Sequence, residues 1–184
     1  YKAINRRLQR GRLASVNEGK YVGSIPPYGY ERIRIEHDKG YTLSAKEDEA
    51  DIVRLIFRLF TEGHADTGRM GPSIIARYLD SLHILPRYGN GWSPSTIRSI
   101  LENPVYIGKI RWDCRRTIKE SRNGSVVKSR PRADPDTWVL TNGLHPPLVD
   151  TETWERAQKL LSRQTTPPVS GKRQMTNPLA GLII

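Results

Sequence analysis

Residues 44–60, SAKEDEADIVRLIFRLF, contain the clearest helix signal in the chain. Apolar side chains recur at helical spacing from Ile52 to Phe60, and Ser44 and Glu47 stand at the spacing of a capping box. Gly63 follows where such a helix should end. The sequence therefore predicts a helix over this stretch that buries one face.

Two shorter helices are predicted next along the chain. The first begins at Gly71-Pro72 and carries apolar residues at helical spacing up to Leu82. The second has Ser93 as its cap and Pro94 in its first turn, and Asn103-Pro104 ends it. Together they resemble a helix-turn-helix whose connection is longer than usual.

The second of these helices has an outward face with two possible interpretations. The face carries one arginine among short hydroxyl side chains: Ser95, Thr96, Arg98 and Ser99. Such a face suits a DNA major groove, where arginine forks to guanine and hydroxyls meet bases or phosphates. An ordinary solvent-exposed face could have the same composition, and the residues alone leave both interpretations open.

Strands are predicted on both sides of the three helices. Alternating side chains after Tyr28, a turn at 37–40 and a partner strand at 41–43 indicate a hairpin. Further strands are expected at 105–112 and 138–140, with a basic loop between them. These elements indicate an α+β fold: a helical domain with the helix-turn-helix-like pair and a small antiparallel or mixed sheet.

The two ends of the chain predict its domain organisation. Residues 1–20 are expected to be the end of a long helix, and 21–29, with Pro26-Pro27, an extended linker. The main domain then covers 30–163, including a last helix capped by Asp150 or Thr151, and 164–184 is a second linker. A start in mid-helix and an apolar carboxyl terminus are both expected where a longer protein has been cut.

Positive charge is concentrated in two segments. The net charge is +11, and 21 of the 30 basic residues are arginine. Residues 1–20 hold six bases against one acid, and residues 109–132 hold nine against two, so these segments account for the excess. This distribution indicates a polyanionic partner, although two solvated basic faces without a partner would look the same.

Several other chemistries are disfavoured by the sequence. There is no nucleotide-binding loop, no Gly-x-Ser-x-Gly and no His-Glu-x-x-His motif, and the four histidines are far apart. The single cysteine, Cys114, cannot form an internal disulfide or a Cys-x-x-Cys metal knuckle. Asp136 and Glu152 lack the Glu-x-Lys pattern of a metal nuclease. No apolar run is long enough for a transmembrane helix or a secretory signal, so we expect a soluble, cytoplasmic protein without a membrane partner.

Taken in order, several motifs resemble the central recombinase domain of the large serine recombinases, which include phage integrases and transposon recombinases. The resemblance covers nearly the whole chain. The motifs that carry it are Pro26-Pro27-Tyr28-Gly29-Tyr30, the stretch 49–57, Trp92-Ser93 with the stretch 96–101, the stretch 103–108, His145-Pro146-Pro147-Leu148 and the stretch 177–183.

The resemblance implies that this chain binds one half of an attachment site in duplex DNA for a site-specific recombinase of bacterial, phage or mobile-element origin. It also implies partner recombinase subunits, a catalytic serine domain upstream of Tyr1 and a zinc ribbon downstream of Ile184. On this interpretation these residues contain no catalytic group, metal site or cofactor. A non-catalytic regulator, a basic RNA-binding module and a nuclease are the alternatives.

We expect DNA contacts from the amino-terminal helix and linker, from the helix at 94–101 and from the basic segment after 108. The first group is assigned to the backbone and minor groove, and the helix to base reading. The candidate residues are Arg6, Arg7, Arg10, Arg12, Lys20, Tyr28, Arg87, Ser95, Thr96, Arg98, Ser99, Lys109, Arg111, Arg115, Arg116 and Lys119.

Overall fold

The computed structural model describes residues 2–64, 68–112, 118–122, 125–129, 131, 133–134 and 137–163. Five helices and three two-stranded antiparallel sheets occur in these ranges, which confirms the α+β prediction. The helices are α1 (Lys2–Asn17), α2 (Glu47–Thr61), α3 (Pro72–Ser81), α4 (Pro94–Leu101) and α5 (Thr151–Arg163). The strands are β1 (Tyr30–Arg34), β2 (Tyr41–Ala45), β3 (Lys109–Trp112), β4 (Ile118–Arg122), β5 (Ser125–Ser129) and β6 (Val139–Asn142).

The hydrophobic core lies between α2, α3, α4 and α5. Helix α2 is central because its apolar side chains are buried along most of its length, and α3 and α4 pack on it as the helix-turn-helix-like pair. Fully or almost fully buried members include Val53, Ile56, Phe57, Leu59, Phe60, Ile75, Leu79, Ile97, Leu101, Ala157 and Leu161.

The predicted capping box of α2 does not form. Ser44 lies in β2, and Lys46 occupies the cap position without a side-chain cap hydrogen bond. The hairpin pairs as far as Tyr30 opposite Ala45, and the Lys46 amide donates to the Gly29 carbonyl at 3.0 Å. Because Ser44 is paired with β1 in the hairpin, it cannot cap α2.

The predicted strand at 105–112 is shorter than expected. Pro104–Ile107 form a 3₁₀ helix, because the Asn103 side chain caps the Val105 amide and Gly108 adopts a left-handed conformation with φ 74°. Only Lys109–Trp112 form β3, which pairs antiparallel with β6. The last helix, α5, begins after Asp150, whose carboxylate accepts from the Thr153 amide at 2.8 Å.

An aromatic cluster joins the 3₁₀ helix to β1. The rings of Tyr30 and Tyr106 stack at 6.0 Å, and His145 meets Tyr30 edge-on at 5.3 Å. The Tyr30 hydroxyl donates to the Pro146 carbonyl at 2.7 Å, and the Tyr106 hydroxyl to the Tyr28 carbonyl at 2.8 Å. These bonds hold the linker before β1 against the segment that follows α4.

The Glu49–Arg87 ion pair ties together three separate parts of the chain. The Arg87 side chain, in the α3–α4 connection, donates from Nε to Glu49 at 3.1 Å and from its terminal nitrogens to Glu49 and to the Pro26 and Tyr30 carbonyls. Glu49 also accepts from the Gly29 amide. Burial alone would raise the pKa of Glu49, but the bonds from Arg87, Gly29 and Lys46 outweigh it and keep this pKa below its ordinary value.

We expect Arg87→Ala to lower the free energy of unfolding by about 2–3 kcal/mol, because it leaves a nearly buried carboxylate without its main partner. The matched control is Arg54→Ala, which breaks exposed pairs with Glu47 and Asp51 and should cost about 0–1 kcal/mol. Chemical denaturation of both variants at pH 7 measures the difference. Equal losses would show that the Glu49–Arg87 pair is no more important than a surface ion pair.

Stability should also fall as the pH drops below about 6.5, because His145 is buried in its neutral form. Its Nε2–H donates to the Val105 carbonyl at 2.9 Å, and burial lowers the pKa of His145 below the ordinary 6.5. The unfolded chain therefore takes up a proton that the folded chain does not. Between pH 7.5 and 5.5 the free energy of unfolding should therefore decrease, by at most about 1.4 kcal/mol.

Denaturation curves at several pH values test this expectation. His145→Gln should flatten the pH dependence, whereas His64→Gln, at an exposed histidine, should leave it unchanged. If His145→Gln kept the full slope between pH 7.5 and 5.5, another group would be responsible.

Candidate nucleic-acid interface

Helix α4 presents the outward face that the sequence predicted. The buried side of the helix is formed by its isoleucines and leucine, and Ser95, Thr96 and Ser99 are exposed while Arg98 is half-buried. Ser93 caps the helix, with its Oγ 3.1 Å from the Thr96 amide nitrogen. We call Ser95, Thr96, Arg98 and Ser99 the α4 ridge.

A groove runs along each flank of this ridge. The first, here the linker groove, has a volume of about 370 Å³ and lies between Thr96 and Ser99 and the linker. The second, here the arginine groove, has a volume of about 530 Å³ and lies between Arg98 and β3, β6 and α5. Four predicted residues line the linker groove (Tyr28, Arg87, Thr96 and Ser99), and two line the arginine groove (Arg98 and Arg111).

The linker groove has aromatic walls. Tyr28 is half-buried and packs edge-on against Trp92, with ring centroids 5.1 Å apart. Tyr88 is 71% exposed at the rim. Such walls can stack on a sugar or base.

The arginine groove combines two cations with indole rings. The Arg98 Nε donates to Glu102 at 2.8 Å, and the Arg111 guanidinium lies over the Trp138 ring, 4.9 Å from its centroid. Lys109 begins β3, is half-buried, and lies opposite Asn142 in the strand register.

Two other predicted contact residues lie inside intramolecular networks. Arg87 uses its nitrogens on Glu49 and on two backbone carbonyls, as described above. The Lys20 ammonium lies 2.8 Å from Asp38 and 2.7 Å from Glu18, and hydrogen bonds to these two carboxylates raise the pKa of Lys20. Both side chains hold neighbouring segments in place: the linker for Arg87, and the β1–β2 turn for Lys20.

The predicted amino-terminal arginines lie on α1, where Arg6, Arg7, Arg10 and Arg12 are all exposed. The end of this helix is fixed to the domain. Val16 is fully buried, its carbonyl accepts from Thr141 Oγ1 at 2.9 Å, and the Gly19 carbonyl accepts from the Leu144 amide at 3.0 Å. The carboxyl-terminal end of α1 is therefore attached to the β3–β6 sheet, and the arginines of the helix are exposed.

The rest of the basic segment is described only in part. Arg115, Arg116, Cys114, Asp136 and residues 164–184 lie outside the described residues. Lys119 lies in β4, at the register position opposite Lys128 of β5.

The sequence predicts a loop here, whereas the structure contains the β4–β5 hairpin. The sequence carries a signal for it, because Asn-Gly, a residue pair favoured in two-residue hairpin loops, stands between the two strands at positions 123–124. The Arg98–Glu102 pair was also missed, although its spacing of four residues within a helix is readable from the sequence.

No metal site is formed by the described residues, since no three histidine, cysteine or acidic side chains among them come close enough to hold an ion. In the same part of the chain, no helix has the length and apolar character needed to cross a membrane.

Comparison with known proteins identifies relatives over most of the chain. A Bacillus subtilis (strain 168) protein named "Putative DNA recombinase" is 30% identical over 167 residues, which are 87% of this chain and 31% of that protein. The chain thus spans about a third of the length of this relative.

Solved structures share the fold. One is described as the crystal structure of a LSR–DNA complex; it has a TM-score of 0.58 and 20% identity, and the match covers 91% of this chain and 41% of that one. Another comes from work on the sequence requirements of the Listeria innocua prophage attP site, with a TM-score of 0.54, 20% identity, and coverage of 85% and 52%.

The family itself is shown by a match to residues 47–164, which extends from the first residue of α2 to just past the end of α5. The matching family is described as Recombinase, and the match includes the helix pair, the arginine groove and the β3–β6 sheet. The resemblance inferred from the sequence motifs is thereby confirmed, and this chain belongs to the Recombinase family.

Proposed function

We propose that this chain binds duplex DNA and reads one half of an attachment site for a site-specific serine recombinase, together with other recombinase subunits. The observation that carries the proposal is the α4 ridge, an exposed helix face of small hydroxyl residues and one arginine with a groove on each side. The membership of this chain in the Recombinase family supports the same role.

The shape of the ridge favours a DNA major groove. That groove is about 12 Å wide and admits a helix, whereas the major groove of A-form RNA is too deep and narrow for side chains to read. Ser95 and Ser99 are short and exposed, so the α4 backbone can approach base edges closely. The flanking grooves would then lie near the two sugar-phosphate backbones, with Arg111 on one side and Tyr28 on the other, while Arg98 on the ridge faces the base edges.

The remaining candidates divide into two groups in this proposal. Exposed arginines on α1 contact the backbone and minor groove, where they add affinity for any sequence. Arg87 and Lys20 act through the segments that they hold in place. Titrations of a DNA duplex and of an RNA duplex of the same sequence separate this function from an RNA-binding module, and release of cleaved strands in the presence of Mg²⁺ would indicate a nuclease.

We expect binding to fall steeply with salt, because the basic segments can neutralise about six phosphates, which corresponds to a log-log slope of roughly −5. Replacing Arg10 and Arg12 together by alanine should make the slope shallower by about 2 and weaken binding to all duplexes alike. Fluorescence anisotropy titrations between low and moderate salt measure both. A slope near zero would remove the electrostatic part of the proposal. A loss confined to one sequence would contradict the assignment of α1.

We expect Arg98→Ala to cost about 1–3 kcal/mol on a duplex that this chain has selected from a random pool, and almost nothing on a scrambled duplex. The reason is that Arg98 is the long donor of the α4 ridge. Paired titrations at fixed salt measure the ratio of the two affinities. The matched control is Arg156→Ala on α5, which also pairs with a glutamate four residues away but lies outside the arginine groove. Equal losses of affinity on both duplexes would show that Arg98 contacts a phosphate rather than a base.

A further inference from the structure

Arg98 is held by an acidic neighbour one helical turn away. Its Nε donates to Glu102 Oε1 at 2.8 Å, and the two side chains are 42% and 29% exposed. Within the described part of the chain, the terminal nitrogens of Arg98 donate no hydrogen bond. The pair therefore occupies one edge of the guanidinium group and leaves the end that can fork onto an acceptor pair.

The fold gains little from this pair. Glu102 stands at the C-cap of α4, where a carboxylate meets the negative end of the helix dipole. An arginine followed four residues later by a glutamate is also the less favourable order for such pairs in a helix. Half-exposed ion pairs contribute little to stability in any case. Stability thus gives no strong reason for an acid at this position.

We infer that Glu102 is a positioning residue, which holds the Arg98 guanidinium in the orientation that reads a base. The inference rests on the proposed DNA-reading role of α4. Binding at Nε restricts the rotation of the guanidinium plane while its two terminal nitrogens remain able to fork onto guanine O6 and N7. A side chain ordered in advance loses less conformational freedom when it binds, so the preferred sequence gains affinity.

Electrostatics alone would give the opposite result. An acidic residue beside a DNA-binding surface repels phosphates, so its removal should strengthen binding to every duplex. Positioning instead requires that removal weaken binding to the preferred duplex while binding to other sequences stays equal or improves. The ratio of the two affinities therefore separates a positioning residue from an ordinary surface acid.

The experiment compares a duplex selected by this chain from a random pool with a scrambled duplex of the same length and composition. Glu102→Ala should bind the selected duplex about three- to tenfold more weakly and the scrambled duplex no more weakly than wild type. Glu102→Gln keeps an oxygen that can accept from Nε, so it should retain most of the ratio. The matched control is Glu152→Ala, which removes the same charge from the Arg156 pair on α5 and should leave the ratio unchanged.

A double-mutant cycle with Arg98→Ala completes the test. Without Arg98, Glu102→Ala should no longer change the ratio, because there is nothing left to position. If Glu102→Ala left the ratio at its wild-type value while Arg98→Ala lowered it, the positioning role would be wrong and the proposed function would stand. If Arg98→Ala itself left the ratio unchanged, the proposal that α4 reads DNA sequence would be wrong. The positioning role of Glu102 would then be wrong as well.

Discussion

The ion pair between Glu49 and Arg87 connects the start of α2, the proline-containing linker and the α3–α4 connection. These three segments are up to 61 residues apart in the sequence, and they converge on one guanidinium group. The linker and the connection also form walls of the linker groove. The shape of the surface beside α4 therefore depends on a pair that does not itself belong to the outward face. Nearly buried ion pairs add little net stability, but an unpaired charge at the same place is costly, so alternative packings of these segments are penalised.

The aromatic cluster holds the same linker at a second point. Tyr106 donates to the linker at the Tyr28 carbonyl, and the amides of Leu148 and Val149 donate to the Tyr106 carbonyl. The linker is thus held by an arginine at one point and by a tyrosine at another. Since the linker forms one wall of the linker groove, these bonds set the spacing between the α4 ridge and that wall.

The sequence was most informative where local signals agree. Periodicity and end signals located the helices, because each depends on residues within a few positions of one another. The ion pair of Arg87 is not readable from the sequence, because its partner Glu49 lies 38 residues away and no local pattern shows which groups such an arginine meets. Similarly, Ser44 and Glu47 had the spacing of a capping box, but strand pairing with β1 competed for the same backbone. The outward face of α4 was readable from its composition, whereas the two grooves depend on how the linker, the α3–α4 connection, β3, β6 and α5 pack around it.

The junction after α1 also determines where the far, Lys2 end of that helix lies. Gly19 has φ 76°, and a side chain there would lie 2.7 Å from the Asn142 carbonyl oxygen, so the turn fits closely against β6. Helix α1 contains 16 residues and is about 24 Å long. At that length, a change of 10° at the junction moves the Lys2 end by about 4 Å. Hydrogen bonds at Val16, Gly19 and Tyr21 hold the junction, so the position of the far end of α1 depends on the geometry of these few contacts.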